Sequence, residues 1–458
     1  MTAVQPWVHA TRCRAARRAI SDLLRPNHQM LRAGYSLITN VMVTALLGFG
    51  FWVAAARLFP STTVGRDTVL VSAMLTLSAM CQLNLTTVML RFLPVTRLSP
   101  RRFIAASYAI VATLSLIASS AFVIAAPSLS SRLGFLHSQP WVVVSFIGAV
   151  VVWGIFSLQD AVLTAFRRTA WVPIENGLFG AMKIAMLPIL LLAGAEHAVF
   201  LAWAIAMALL IIPVNALIFR SVIPNRPARP DVPSPVERFG RGGLARFSMH
   251  DLGGTLFGHA SSTMLPVLMV AFVGSAESAY FYMPFMVVAT FDLMFLNVAA
   301  ALTVEGAATE GRVASLARLT VRRFAPLLFG GIAVVLVASP ALLELFGPTY
   351  SESGTTVLRV LVCASAFRAA TALYSGVCRV EGRGSRVLAI QGSTFALVIS
   401  LTIALAPAHG IGGVATGWLL ANGLVAVAVA PALIRLLRRG GAPPPQRAEG
   451  VPSCATSV

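Results

Sequence analysis

The chain has 458 residues, 57% of them hydrophobic and only 11% charged, with a mean hydropathy of +0.82. That balance excludes an ordinary water-soluble domain and implies an integral membrane protein. The net charge of +19 would raise a nucleic-acid partner in a soluble protein, but here arginine in loops sets topology and rests against anionic headgroups, so no nucleic acid is expected.

Residues 1–32 form a basic tail with six arginines. The first apolar stretch, 33–56, is too long for a signal-peptide core and has no small-residue cleavage site after it, so it is expected to stay in the membrane. It carries a polar stripe, Ser36, Asn40, Thr44 and Gly48, spaced by four and therefore on one helix face. Apolar stretches follow at 69–90, 103–125, 141–163, 171–193 and 198–219. Residues 220–246 hold five prolines and read as a linker. Six more stretches lie at 247–272, 279–302, 324–345, 355–375, 387–406 and 411–434. Each is about 20 residues or more, enough to cross a hydrocarbon core of about 30 Å as a helix. In the final segment, 435–458, the residues from Gly440 onward have no means of burying a core and are expected to be disordered.

Arginine alternates along this series. The two tails and loops two, four, six, eight and ten carry 29 of the 35 basic residues, against three (Arg57, Arg66 and Arg132) in all the other loops. Cytoplasmic loops collect Lys and Arg, so both termini are placed inside and the span number must be even. The expected fold is therefore all-α: a polytopic membrane protein of twelve transmembrane helices in two six-helix bundles, 33–219 and 247–434, with the linker and both tails cytoplasmic. With Lys183 as the only lysine, the arginine bias itself points to a GC-rich genome.

The halves show traces of a repeat. Leu83-Asn84 matches Leu296-Asn297 at an offset of 213, and Asn176-Gly177 matches Gln391-Gly392 at 215. The stripe on span one lands on Asp251, Thr255, His259 and Thr263 in span seven. A six-span repeat keeps its orientation, which implies a pseudo-twofold axis along the membrane normal and a binding site between the halves. On that reading Asn40, Thr44, Thr255, Asn84 and Asn297 line a central cavity, with spans one and seven facing each other. Tight helix packing through small and polar residues is the alternative.

Charge inside the spans is the sharpest chemical signal. Lys183, Arg368 and Asp292 lie at central depth in spans five, ten and eight, where each costs roughly 2.5–3.5 kcal/mol to insert. Lys183 and Arg368 are either a cationic cavity lining for an anionic substrate or partners in internal ion pairs with Asp292 or Glu175. Asp160, Glu175, Asp251 and Arg359 sit nearer span ends, where snorkelling, pairing or capping is also open to them. The five cysteines show no CxxC or Cys/His spacing, so neither a metal nor a disulfide framework is indicated. No phosphate-cradling loop, Ser/His/Asp set or nucleotide-binding domain is visible, and the longest external loop, 126–140, has no acid. An enzyme is not expected; transport is.

The acidic and basic signature of major facilitators between spans two and three is missing from Arg91-Phe92-Leu93-Pro94-Val95-Thr96-Arg97. Four other stretches carry a resemblance: Val64-Gly65-Arg66 leading into Gln82-Leu83-Asn84-Leu85-Thr86; Leu158-Gln159-Asp160 through Arg167-Arg168 with Trp171-Val172-Pro173; Leu345-Phe346-Gly347-Pro348-Thr349-Tyr350; and Ser375-Gly376-Val377-Cys378-Arg379-Val380-Glu381-Gly382-Arg383. Across residues 33–434 the chain resembles the Wzx-type polysaccharide flippases of the multidrug, oligosaccharidyl-lipid and polysaccharide exporter superfamily.

The resemblance implies alternating access in a bacterial cytoplasmic membrane and a polyprenyl-pyrophosphate-linked oligosaccharide as substrate, for cell-surface polysaccharide synthesis. It also implies a functional monomer without cofactor, an H+ or Na+ gradient as driving force, and polysaccharide polymerase or glycosyltransferases as partners beside membrane lipids. Asp292, Asp251 and His259 are then coupling candidates, with Asp160 and Glu175 as further coupling or gating residues. A drug or small-metabolite exporter of the same superfamily and a non-transporting scaffold in a glycan assembly complex are the alternatives.

Overall fold

The structure, a computed structural model, describes residues 28–83, 85–93, 99–137, 139–166, 168–224, 241–308 and 313–439. Asn84, most of the linker and residues 1–27 and 440–458 lie outside the described residues. In lipid no water satisfies backbone N–H and C=O groups, so an apolar chain closes those bonds within helices. All regular elements among the described residues are helical: α1 (His28–Leu58), α2 (Ser61–Cys81), α3 (Pro100–Leu129), α4 (Pro140–Ala165), α5 (Trp171–Leu192), α6 (Ala198–Leu217), α7 (Arg241–Thr263), α8 (Ser275–Ala308), α9 (Val313–Glu344), α10 (Pro348–Val380) and a final segment, Gly384–Arg439, with short helical pieces at Leu85–Phe92, Ser131–His137, Ile218–Val222 and Leu265–Phe272, the last completing the seventh span. Eleven segments among the described residues are long and apolar enough to span a bilayer. The last is two helices joined at Gly410, whose φ of 55° and ψ of −138° break the helix. With α11 (384–409) and α12 (411–439) on either side of it, the crossings among the described residues number twelve.

Pro100, Pro140 and Pro348 open α3, α4 and α10, where the missing N–H is no loss. Several helices outrun the apolar stretches, because polar ends continue as helix into the headgroup region: α1 starts at His28 instead of residue 33, and α9 at Val313 instead of 324. The second span differs most. It starts at Ser61, eight residues before the expected 69, and ends at Cys81; Leu83, with φ of 44°, separates it from a short helix, Leu85–Phe92. Hydropathy excluded Asp67, yet its carboxylate is wholly buried. It accepts the Val199 and Phe200 N–H groups at 2.9 and 3.1 Å and lies 2.7 Å from His197 Nδ1. It thereby satisfies the free amides at the start of α6 from another helix.

The two halves repeat one packing scheme. α1 packs on α5 as α7 packs on α11, α3 on α4 as α9 on α10, and α2 on α4 as α8 on α10. Small residues permit the close approaches, as small-residue faces do between helices in lipid. Gly177 and Gly180 of α5 meet Val43 and Leu47 of α1, while Gly254 and Gly258 of α7 meet Val387, Leu388 and Gln391 of α11. Between the halves α2 lies against α8, flanked by α1 on α8 and α7 on α2. These contacts exchange under a six-helix shift, so the pseudo-twofold axis passes between α2 and α8.

One apolar core joins both halves at the arginine-poor, outer end, running from Phe51 and Val64 through Phe200 and Met283 to Leu361 and Trp418. At the arginine-rich, cytoplasmic end the cores are separate: one around Met89, Leu163 and Ile218 in the first half, and others around Tyr374 and Val425 and around Leu302 and Leu373 in the second. The outer seam also carries polar ties. Arg57 donates to the carbonyls of Leu345 and Glu344 at 2.9 and 2.5 Å, Tyr280 Oη lies 3.2 Å from Ser61 Oγ, and Ser130 Oγ donates to Ala271 O at 3.1 Å. The molecule is closed outside and parted inside.

Candidate functional site

The parted side leads into a cavity of about 500 Å³ lined from α1, α2, α4, α5, α6 and α8, within the size range of small-molecule sites. Its inner reaches are aromatic. Trp153 stacks on Phe156 with centroids 5.7 Å apart and meets Trp203 at 5.5 Å, while Trp52 of the first half packs edge-on against Tyr282 of the second at 4.8 Å. Nearer the cytoplasm the lining turns polar, with Asn40, Thr44, Ser157, Asp160 and Asn176.

Lys183 lies on this cavity, about 18 Å along α5 from Trp171 at 1.5 Å per residue. Its side chain is almost wholly enclosed, with Nζ 4.0 Å from the ring centre of Trp203, 4.8 Å from Phe51 and 5.1 Å from Phe179. Among the described residues no carboxylate pairs with it. A desolvated cation over an aromatic face gains about 2 kcal/mol. Three rings therefore offset part of an insertion cost of roughly 2.5–3.5 kcal/mol for a basic side chain at this depth.

At the cytoplasmic end of the same half, Asn176 Nδ2 donates to Asp160 Oδ2 at 2.9 Å. The other Asp160 oxygen, both carboxylate oxygens of Glu175 and the Tyr108 hydroxyl are buried without a hydrogen-bond partner. Glu175 is 5% exposed.

The second half disposes of its charges differently. Arg368 Nη1 lies 2.5 Å from Asp292 Oδ2, and its guanidinium rests 5.0 Å over Trp418. Arg379 of α10 pairs with Asp251 at 2.9 Å, and Arg359 donates to Ser339 Oγ at 3.0 Å and Leu336 O at 3.2 Å.

The structure thus brings Lys183, Asp160, Asn40 and Thr44 to one cavity, with Glu175 next to Asn176 behind it, and leaves the other sequence candidates away from it. Of the two readings open for Arg368, a cavity lining or an internal ion pair, the structure shows the pair with Asp292 and does not place Arg368 on this cavity. The α7 stripe is a correction. Asp251, Thr255 and His259 do not line the cavity; α1 faces α8 across it, through Tyr282, Met286 and Thr290, because the axis passes between α2 and α8. Thr263 instead meets Thr76 of α2 at 2.5 Å. Asn297 is exposed on α8 away from the lining, and Asn84 is outside the described residues. Sequence reasoning missed the aromatic cage of Phe51, Phe179 and Trp203, since nothing in a local pattern ties three ordinary aromatics to one lysine.

No protein-family model matches the chain, and no curated protein matches it. Solved structures do. A multidrug resistance MATE family transporter of the MOP superfamily in an inward-facing conformation aligns with TM-score 0.61 and 16% identity, over 90% of this chain and 100% of that one. A MOP superfamily transporter from Pyrococcus furiosus, described as having a binding pocket of reverse polarity, aligns at 0.59 and 13%, over 91% and 96%. A MATE transporter of Vibrio cholerae aligns at 0.53 and 15%, over 90% and 97%. At these identities the likeness is one of fold: the protein is a multi-pass membrane protein with the fold of the MATE transporters.

Proposed function

We propose that this protein is an alternating-access exporter that moves a polyprenyl-pyrophosphate-linked oligosaccharide from the inner to the outer face of a bacterial cytoplasmic membrane. The observation that carries the reading is Lys183, a basic side chain with no carboxylate partner among the described residues, on a cavity parted toward the cytoplasm. An ammonium serves phosphate as a point charge, the surrounding rings offer faces for the apolar sides of sugars, and Asn40, Thr44, Ser157 and Asn176 supply hydrogen-bonding groups for hydroxyls. The transporter fold supports the export step. An ion gradient as driving force, action as a monomer and a place beside a polymerase or glycosyltransferases belong to the same proposal.

A second reading has its own support. Asp160 on the cavity and the multidrug resistance function named for the structural neighbour suit a cationic drug, although Lys183 opposes one.

The test is deletion of the gene followed by assay of the cytoplasmic leaflet for accumulated lipid-linked oligosaccharide. Wild-type protein should clear it. Lys183→Ala should clear it about tenfold more slowly or worse, since a hydrogen bond to a charged group contributes roughly 1.5–3 kcal/mol. No accumulation on deletion, or full rescue by the variant, would sink the reading; unaltered rescue would also fit the scaffold alternative.

A further inference from the structure

The second half holds a cavity of its own, about 200 Å³, between α8, α9, α10 and α12, with Phe295, Val321, Phe324, Leu328, Leu433 and Leu437 among its walls. Thr320, at its cytoplasmic end, is the only lining residue with a polar side chain. From Thr320 to Phe329 the cavity follows α9 for about 14 Å at 1.5 Å per residue. That is the depth of one leaflet of a hydrocarbon core of about 30 Å. In the first half, side chains occupy the corresponding place. Pro127 of α3 and Pro340 of α9 stand at an offset of 213, and Val321 then falls where Tyr108 does. Trp203 and Trp418 stand at 215, which pairs Leu433 and Leu437 with Ile218 and Val222. Ile218 and Val222 are buried in the apolar cluster that Tyr108 packs against, whereas Leu433 and Leu437 are only half-buried. A valine in place of a phenol and a looser fit of α12 leave the space open.

Charge and position say what fits there. Arg318 and Arg322 share a face of α9 with Val321, Ala325 and Phe329, at spacings of three, four and seven, and so stand at the cytoplasmic rim. Arg438 follows Leu437 at the end of α12. All three arginines are exposed, and none pairs with a carboxylate among the described residues. No Asp or Glu lines the cavity. A guanidinium matches phosphate oxygens with a planar fork, and basic pockets between membrane helices on the cytoplasmic side suit anionic lipid headgroups. On α8, Tyr282, Met286, Thr290 and Leu293 share the face that lines the central cavity, while Phe295 and Ala299 lie on the opposite face and line this one. The two cavities have no lining residue in common. A lipid-linked cargo whose phosphate meets Lys183 is therefore on the other side of α8, and the chain that fits here belongs to the surrounding leaflet.

We propose that this cavity binds one acyl chain of an anionic glycerophospholipid from the cytoplasmic leaflet, with the lipid phosphate held by Arg318 and Arg322 and with Arg438 completing the basic rim. The bound chain fills the gap between α9 and the back of α8, and so braces a wall of the central cavity. The site stands on its own geometry; an effect of that brace on cargo movement rests on the exporter reading.

The experiment uses purified full-length protein in detergent without any cargo. Phosphatidylglycerol carrying a photoreactive diazirine midway along one acyl chain is cross-linked to the protein, and the labelled peptides are identified by mass spectrometry. Labelling of the α9 and α12 segments that line the cavity should saturate, and unlabelled phosphatidylglycerol should compete about tenfold better than phosphatidylcholine with the same chains. Arg318→Gln combined with Arg322→Gln should weaken this labelling by about tenfold, and Ala325→Phe, which puts a ring into the cavity, should abolish it. Arg220→Gln, exposed at the cytoplasmic end of the first half, should leave it unchanged. Labelling around Met42 and Leu46, exposed on α1, should persist in every variant. Equal competition by the two lipids, or undiminished labelling in either the double-arginine or the Ala325→Phe variant, overturns the proposal in favour of ordinary bilayer lipid. Stronger competition by a polyprenyl phosphate than by phosphatidylglycerol also overturns it and assigns the cavity to the tail of the cargo. If Ala325→Phe does not elute as a single species, the arginine variant and the lipid competition decide. Because no cargo is present, a failed flipping assay leaves this result untouched, and failed lipid labelling leaves the lipid-linked oligosaccharide assay untouched.

Discussion

Arg368 and Asp292 show why a charge at the centre of a span need not meet a substrate. Asp292 is buried and Arg368 is about three-quarters enclosed, their atoms 2.5 Å apart between α10 and α8. Removing one partner of such a pair strands the other and costs about 3–5 kcal/mol, whereas replacing both with apolar residues of similar volume is often neutral. Asp292→Asn should therefore lower the unfolding midpoint in detergent markedly, and Asp292→Leu combined with Arg368→Met should recover most of the loss. A double variant as unstable as the single one would contradict this account. The sequence marked these residues because a charge stands out in a 20-residue apolar run. It left open whether Arg368 pairs or lines a cavity, because pairing depends on which helices adjoin, and hydropathy carries no such information. Lys183 stood out for the same reason, while its three rings, spread over α1, α5 and α6, are visible only once the helices pack. Asp160 and Glu175 were legible as acids near span ends, but not as acids without a cation.

At the scale of elements, the apolar runs and the alternation of arginine are enough to give twelve helices and their direction, since length and loop charge are local properties. The joints are not local in this way. The connection between α11 and α12 has no loop: Gly410 alone reverses the backbone, in a conformation with positive φ that is open to glycine and strained for residues with a side chain. Gly410→Ala should destabilise the protein by about 1–3 kcal/mol, read as a lower unfolding midpoint, while Gly412→Ala, two residues on in open space and without that backbone geometry, should change it little. Equal effects would mean that Gly410 is not strained in the way its dihedral angles indicate. The stripe on α7 marks another limit of pattern reading. Periodicity correctly puts Asp251, Thr255 and His259 on one face, but it does not say which neighbour that face meets, and the twofold arrangement gives the place opposite α1 to α8.

At the scale of the molecule, closure outside and separation inside come from a few close approaches across the seam. The tightest involves Gly65 at the start of α2: a Cβ built there would stand 1.6 Å from the carbonyl oxygen of Ser275 at the start of α8. Both atoms of that clash are backbone or fixed to it, so a methyl group forces the halves apart where Arg57, Ser61 and Ser130 now tie them. Gly65→Ala should favour the outward-open arrangement. In protein freed of its native cysteines, Thr44→Cys reports on the cavity. A membrane-impermeant maleimide should label it from the cytoplasmic face of inverted vesicles and poorly from the outer face of right-side-out ones. Adding Gly65→Ala should reverse that preference by several fold, and Arg57→Ala, which removes two hydrogen bonds without adding bulk, should shift it in the same direction by less. Unchanged labelling in the Gly65→Ala background would mean that the contact of α2 with α8 does not hold the outer side shut.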